Sequence, residues 1–462
     1  MNHSRKVMVM GLDCATPQLV FERWRDKLPN LRRLMNEGLY GPLESVVPAI
    51  TVPAWSCMMT SKDPGQLGFY GFRNRADYTY QGQTTATSTF VREDTVWDIL
   101  SHLGRKVVLV AVPQTYPPKP TNGCVVSCFL TPSTNSEYTF PADLKAEVES
   151  VTDGYILDAD GFRDDDKDRI RQQVFEMTEK RFRLIRHLMR TREWDFFMFV
   201  EIGVDRIHHA FWKYSDPQHR KYEPNHGYGN VILDYYRFLD AEIGKVLEML
   251  DDRTTVFVVS DHGAKAMEGG FCLNEWLIRE GYLRLKERPQ GVVPLEKAQV
   301  DWSGTVAWGA GGYYGRLFLN VKGREPYGVV DPDDYEKVRD EIRARVEAVT
   351  DEKGRPLATK AFKPQEIYRD CRNIPPDLII YFGDLAWRSV GSVGHNAIHV
   401  FENDTGPDDA NHAQHGIFIM WDGNGRQGSF REDLTIMDCA PTILAALGAP
   451  VPADMAGRVI QL

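Results

Sequence analysis

The chain has 462 residues, 42% of them apolar and 26% charged, which suits either one large α/β unit or two folded domains. Its net charge of −10 argues against a general nucleic-acid binder, because a phosphate backbone needs a basic face. No apolar stretch approaches the roughly 20 residues of a membrane span. The seven cysteines are irregularly spaced, which predicts reduced thiols in a cytoplasm rather than a disulfide framework.

The opening MNHSRKVMVMGLD has neither a long apolar core nor a small-residue cleavage pattern, so no signal peptide is predicted. KVMVMGL (6–12) reads as a buried strand ending at Asp13, with helix-compatible sequence to about Glu37. Alone, Asp13 reads as a strand-terminating turn residue. If the extended backbone persisted, Cys14 would point away from any site that Asp13 faces. In PAITVPAWSCMMTSKDPG, Pro53 suits a first helical turn, where its missing N–H costs nothing. That sets Thr51 at or just before a helix's amino end, where free N–H groups bind phosphate. Alone, Thr51 reads as a helix cap. As a nucleophile it needs a metal at its oxygen, since an alcohol is hardly ionised at neutral pH.

RKVVLVAV (105–112) is a second buried-strand candidate, closed by Pro113. Residues 164–190 read as an amphipathic helix with Ile170, Val174, Met177, Ile185 and Leu188 near one stripe. The acids at 164–166 suit the positive end of its dipole. WDFFMFVEIGVD (194–205) is an apolar run ending in Asp205. Asp205 and His209, four positions apart, would share one face of a helical turn, although His208 competes for the role. Val231, Tyr235, Leu239, Ile243, Val246 and Leu250 mark a long helix. TTVFVVSDHG (254–263) repeats the run-then-acid pattern and ends in Asp261 and His262. Strands separated by helices predict a mostly parallel, doubly covered sheet. Its carboxyl ends, where such sheets carry active sites, would hold Asp13, Asp205 and Asp261.

From about residue 265 the alternation weakens. GGFCLNEWLIREGYLRL reads as a short helix leading to a strand, a helix follows at about 333–348, and PDLIIYF (376–382) reads as a strand. We take 265–404 as an inserted cap on a catalytic core of 1–264 plus 405–462. Within it, Trp302, Trp308, Tyr313 and Tyr314 could line a substrate pocket, with packing of the cap's core the favoured role. NHAQHGIFIMWDG (411–423) resumes the sheet, and a final helix lies near 437–447. His412 and His415 both precede the strand-like GIFIMW, so a histidine ligand would enter at a strand's start, as an antiparallel strand allows. Arg73, Arg75, Arg206 and Lys265 are the basic candidates for phosphate contact. Oxygen and nitrogen donors without thiolate suit zinc, with Mn²⁺ or Fe²⁺ as alternatives.

The motifs GLDCATP (11–17), PAITVPAWSCMMTSKDPGQLGFYGFR (48–73), VDRIHHAFWKY (204–214), SDHG (260–263), HAQHGIFI (412–419) and MDCAPTILAALGAP (437–450) carry a family resemblance. Together they resemble the alkaline phosphatase superfamily, in its type I phosphodiesterase/nucleotide pyrophosphatase branch, over nearly the whole chain. The resemblance implies a metal-dependent phosphoric ester hydrolase acting on a small phosphoester or nucleotide-like substrate, with no membrane partner. It implies one divalent metal on Asp13, Thr51, Asp261 and His262, and a second on Asp205, His209 and His412. The family's spacings choose His209 over His208 and His412 over His415. Thr51 would attack phosphorus in line, and water activated by the second metal would hydrolyse the phosphothreonine. Sulfatases of this superfamily carry Cys or Ser, then x-Pro-x-Arg. Here Thr51-Val52-Pro53-Ala54-Trp55 stands instead, against sulfatase chemistry. A phosphomutase or phosphomonoesterase is the alternative. A non-enzymatic phospholigand sensor would be expected to have lost ligands, and all seven are kept.

Overall fold

The apolar runs become the inner strands of a ten-stranded sheet. A computed structural model describes residues 5–462, and the reading of the first four residues lies outside the described part. In chain order the sheet takes β1 (Lys6–Leu12), β2 (Leu39–Glu44), β3 (Val107–Val110), β4 (Gly123–Val126) and β5 (Thr139–Phe140). It continues with β6 (Phe196–Glu201), β7 (Thr254–Val259), β8 (His415–Trp421), β9 (Ser429–Phe430) and β10 (Leu434–Thr435). Across the sheet the order is β9-β2-β8-β7-β1-β6-β3-β4-β5, with β10 beside β2. The central strands β7, β1, β6, β3 and β4 run parallel. β8 is antiparallel to both of its neighbours, which bears out the mixed sheet expected near His412.

The pleat sends alternate residues to opposite cores. Met8 and Met10 pack with the helices α2 (Lys167–Thr191) and α4 (Val231–Leu247), while Val7 and Val9 face α1 (Thr51–Thr60) and α5 (Cys439–Ala446). The predicted helical stripes are the buried ones: Ile170, Val174, Ile185, Tyr235 and Leu239 are all fully enclosed. Another helix, α3 (Gly203–Ser215), follows β6 directly.

Residues 307–381 build a second, four-stranded antiparallel sheet from Ala307–Ala310, Gly315–Leu319, Leu378–Tyr381 and Lys360–Phe362, with the helix Tyr335–Glu347 nearby. Leu317, Ile342 and Ile380 belong to a hydrophobic core separate from the two beside the main sheet. One local expectation fails here. GGFC forms the strand Gly269–Cys272 before the helix Leu273–Arg279, and no strand follows that helix; only Leu285 makes an isolated bridge, to Val300. The glycine pair has the permissive backbone and small volume to slip between two neighbouring strands, which helix-period reading of the segment overlooked.

Candidate active site

Beyond the carboxyl ends of β1 and β7 the chain brings six titratable side chains and one hydroxyl together. Asp13 follows β1, and Asp261 and His262 follow β7. Thr51 is the first residue of α1, whose ten residues are all buried. Ile50 ahead of it supplies no capping oxygen, so the helix's first N–H groups stay free to meet an anion. Asp205 corrects the sequence expectation: it lies in the first turn of α3, not at the end of β6. Glu201 at the end of β6 explains the turn. Its carboxylate accepts from the Gly203 N–H at 2.8 Å and from Arg181 at 3.0 Å, tying the strand end to the helix start.

His209 sits one turn after Asp205, with its Nε2 3.2 Å from Asp205 Oδ1. His208 turns the other way and meets Tyr236 at 3.1 Å. His412 lies on a short strand (Ala410–Ala413) paired antiparallel with Gly263–Ala266, opposite Ala264, and its Nε2 is 3.6 Å from Asp205 Oδ1. His415 is exposed at the start of β8. His262 Nε2 stands 3.3 Å from Thr51 Oγ1, 3.2 Å from Asp261 Oδ2 and 3.8 Å from Asp13 Oδ1. The rings of His262 and His412 stack at 3.8 Å.

The polar bookkeeping of this cluster is unusual. Asp13 Oδ1, Asp205 Oδ1, Asp261 Oδ2, His209 Nε2 and His412 Nε2 are buried and have no hydrogen-bond partner. Buried polar atoms ordinarily find partners, since leaving one unpaired costs about 1–3 kcal/mol. Meanwhile the outward atoms of the same residues are held. His209 Nδ1 donates to Asp408 at 2.7 Å, His412 Nδ1 to the Ala49 carbonyl at 3.0 Å, and His262 Nδ1 meets the Gly263 carbonyl at 3.1 Å. With Nδ1 held on the outer side, the Nε2 of each imidazole is directed to the centre, the arrangement that orients metal-binding histidines. Trp55 Nε1 donates to Asp13 Oδ2 at 2.8 Å. Gly11 makes that possible: a Cβ there would come within 2.6 Å of the Trp55 ring.

Charge tells the same story. Burial, then Asp205, pushes Asp13 well above the usual carboxylate range, and burial, then Asp13, does the same to Asp261. Asp205 is held well below that range despite burial, chiefly by His209. His209 rises to about 9 against the pull of burial, through Asp408 and then Asp205. Burial lowers His262 and His412. Three carboxylates and three imidazoles without thiolate form a donor set for hard or borderline divalent cations. Two trios, Asp13–Asp261–His262 and Asp205–His262–His412, have ligand atoms within 4.8 Å of one another. His262 belongs to both trios and His209 to neither.

Several residues escaped the sequence reading. Asp408 orients His209, and Arg163 holds Asp408 at 2.8 Å. Tyr313, expected only as a pocket or packing residue, stacks on His209 at 4.9 Å and lies 4.2 Å from His412. Tyr381 bonds the Ala49 N–H at 2.8 Å, so a strand of the second sheet steadies the segment leading to Thr51. Cys14 corrects another expectation. Its φ of 68° breaks the extended geometry, and its thiol lies beside the Gly263 carbonyl and feels all three carboxylates. Core packing, the favoured role for the four aromatics, holds for Trp308 in the core of the second sheet and for Trp302, which stacks on Tyr80 at 3.7 Å, whereas Tyr313 and Tyr314 line a cavity of about 680 Å³ that includes Thr51. Arg73 and Arg206 line that cavity. Arg75 turns to Glu325 and Lys265 to Asp384.

The type I phosphodiesterase/nucleotide pyrophosphatase family model matches residues 7–417. No curated protein matches the chain in sequence. Human ectonucleotide pyrophosphatase/phosphodiesterase 5 superposes over 97% of this chain and 96% of its own, at 11% identity and a TM-score of 0.56. The inactive murine protein of that name, in complex with AMP, gives 13% identity, a TM-score of 0.54 and coverage of 97% and 96%. Phosphonoacetate hydrolase from Sinorhizobium meliloti, in complex with phosphonoacetate, gives 15%, a TM-score of 0.60 and 96% of each chain. At these identities the likeness establishes the alkaline phosphatase-like fold.

Proposed function

The chain belongs to the type I phosphodiesterase/nucleotide pyrophosphatase family of phosphoester hydrolases, and from that premise we propose that Thr51 is its nucleophile toward a small-molecule phosphoester. The observation that carries this reading is the set of five buried, unpaired ligand atoms in the cluster whose His262 Nε2 stands 3.3 Å from the Thr51 hydroxyl. In the proposed assignment Asp13, Thr51, Asp261 and His262 hold one divalent cation, and Asp205, His209 and His412 hold a second. His262 goes with the first group because its Nε2 is closest to Asp261 and Thr51. Bound there, zinc or a similar ion supplies positive charge that lowers the pKa of a hydroxyl and stabilises charge developing on oxygen.

The protein's own residues do the rest. The free N–H groups opening α1 bind the phosphoryl oxygens, and Thr51 Oγ1 attacks phosphorus in line as the P–O bond to the leaving alcohol breaks. Water then attacks the phosphorus of the phosphothreonine, the P–O bond to Thr51 Oγ1 breaks, and the phosphate monoester leaves as the hydroxyl is restored. Residues 265–404 act as a cap that shapes the cavity, with Tyr313 forming the wall over His209 and His412. A cytoplasmic location agrees with seven free cysteines, six of them buried.

The test is Thr51→Ala assayed on an aryl phosphodiester. The expected loss in kcat is on the order of a thousandfold or more, with metal content retained. Full activity in that variant would remove Thr51 from the mechanism.

A further inference from the structure

Five arginines line the cavity that contains Thr51: Arg73, Arg163, Arg206, Arg316 and Arg388. Three are matched by carboxylates: Arg163 with Asp408 at 2.8 Å, Arg206 with Asp158 at 2.6 Å, and Arg388 with Asp404 at 3.4 Å. Arg73 and Arg316 form no ion pair among the described residues. They are also neighbours, because Arg316 donates to the Arg73 backbone carbonyl. That hydrogen bond ties the Arg316 guanidinium to the Arg73 backbone, so the two residues share one wall, and it neutralises neither cation. The cavity's acids do not offset them. Asp205 and Asp404 are already engaged, and Glu296 is exposed on the short turn Leu295–Lys297 with no ion pair. Arg73 is exposed and Arg316 half-buried, and in a chain with ten more acids than bases by formal charge the two unpaired arginines give this wall of the cavity a local positive charge that favours an anion.

We propose that the substrate carries a second anionic group on its leaving-group side, a carboxylate or a phosphate, seated by Arg73 and Arg316. This inference deepens the hydrolase reading above and rests on it. The planar fork of each guanidinium matches a carboxylate or phosphate through two parallel hydrogen bonds, which a neutral aryl or alkyl group cannot accept. The volume of about 680 Å³ leaves room for a leaving group between this pair and Thr51. Arg73 reaches the cavity from the strand Arg73–Arg75, and Arg316 from Gly315–Leu319, across the register from Ala310. The specificity pair thus joins one residue of the core region to one of the second sheet.

The experiment compares methyl aryl phosphodiesters whose leaving phenol carries a para carboxylate, a para phosphonomethyl group or a neutral para carboxamide. The readout is the ratio of kcat/KM, charged over neutral, in the unaltered protein, in Arg73→Gln, in Arg316→Gln and in the double variant. The expected ratio is about tenfold or more in the unaltered protein, falls several-fold in each single variant and approaches one in the double. Whichever of the two charged esters shows the larger ratio identifies the anion as carboxylate or phosphate. A ratio near one in the unaltered protein, or a ratio that survives the double substitution, overturns the proposal. If no ester turns over while metal is bound, the hydrolase reading has failed. The subsite is then read by calorimetry with 4-carboxyphenylphosphonate against 4-carbamoylphenylphosphonate, where equal affinity overturns it and a preference lost in the double variant sustains it.

Discussion

Two clusters of buried charge, built from the same residue types, are settled in opposite ways. In the second sheet, Glu325 and Asp377 are each 4% exposed, comparable to the active-site aspartates. Asp377 accepts two bonds from Arg324 at 2.9 Å, one from the Leu319 N–H and one from Tyr335. Glu325 accepts from Arg75, Arg324 and the Val321 N–H. Every carboxylate oxygen there is paired. Around Thr51, by contrast, one oxygen of each of three aspartates and two imidazole nitrogens are unpaired. A buried charge costs several kcal/mol unless something compensates it. The first cluster is compensated by the protein and has a structural role. The second is left for ligands of positive charge, and that difference separates an active site from a structural network.

The comparison breaks if both clusters respond alike to losing one acid. Asp261→Asn is expected to lower turnover on an aryl phosphodiester on the order of a thousandfold and to abolish the added stability that metal gives, as followed by thermal unfolding with and without chelator. Asp377→Ala leaves Arg324 paired with Glu325 but removes the acceptor of the Leu319 N–H and Tyr335, and is expected to cost about 1–3 kcal/mol in urea unfolding while metal content stays unchanged. A loss of metal there would mean that the two regions are not separable.

Smaller effects sharpen the contrast. Asp408→Asn keeps the shape but weakens the hold on His209 Nδ1, and a 10–100-fold loss of metal affinity is expected by competition with a chromogenic chelator. Unchanged affinity would show that Asp408 serves only Arg163. The thiols of the two regions should be equally inert. Burial lifts Cys124 beside the main sheet to about 11 and Cys272 near the second sheet to about 12. A raised thiol pKa leaves both protonated at pH 8, so native-state alkylation should spare them until the pH climbs toward those values. Rapid labelling of either at pH 8 would show that its surroundings open.

Much of this was legible in the chain because it is written in local patterns. β1 and β7 are short apolar runs stopped by an aspartate, and α2 and α4 repeat their apolar residues at helical spacing. Four-residue spacing put Asp205 and His209 on one face, but it could not separate His209 from His208. The family's spacing chose His209, and the rotation of α3 turns His208 to Tyr236 instead. Residues that act across the fold left no local mark. Asp408 lies 199 positions from His209, and the Trp55 contact with Asp13 depends on the missing side chain of Gly11. Cys14 was misjudged because extended geometry was carried one residue too far, past the point where φ turns positive. Arg73 and Arg75 look alike in sequence; the pairing of Arg75 with Glu325 separates their roles.

The most direct measurement is elemental analysis of the purified protein alongside its turnover of an aryl phosphodiester, before and after dialysis against a chelator and after adding back Zn²⁺ or Mn²⁺. The expected result is two divalent ions per chain, activity that disappears with them, and recovery on addition. A protein that stays fully active with no metal bound would contradict the account at its centre.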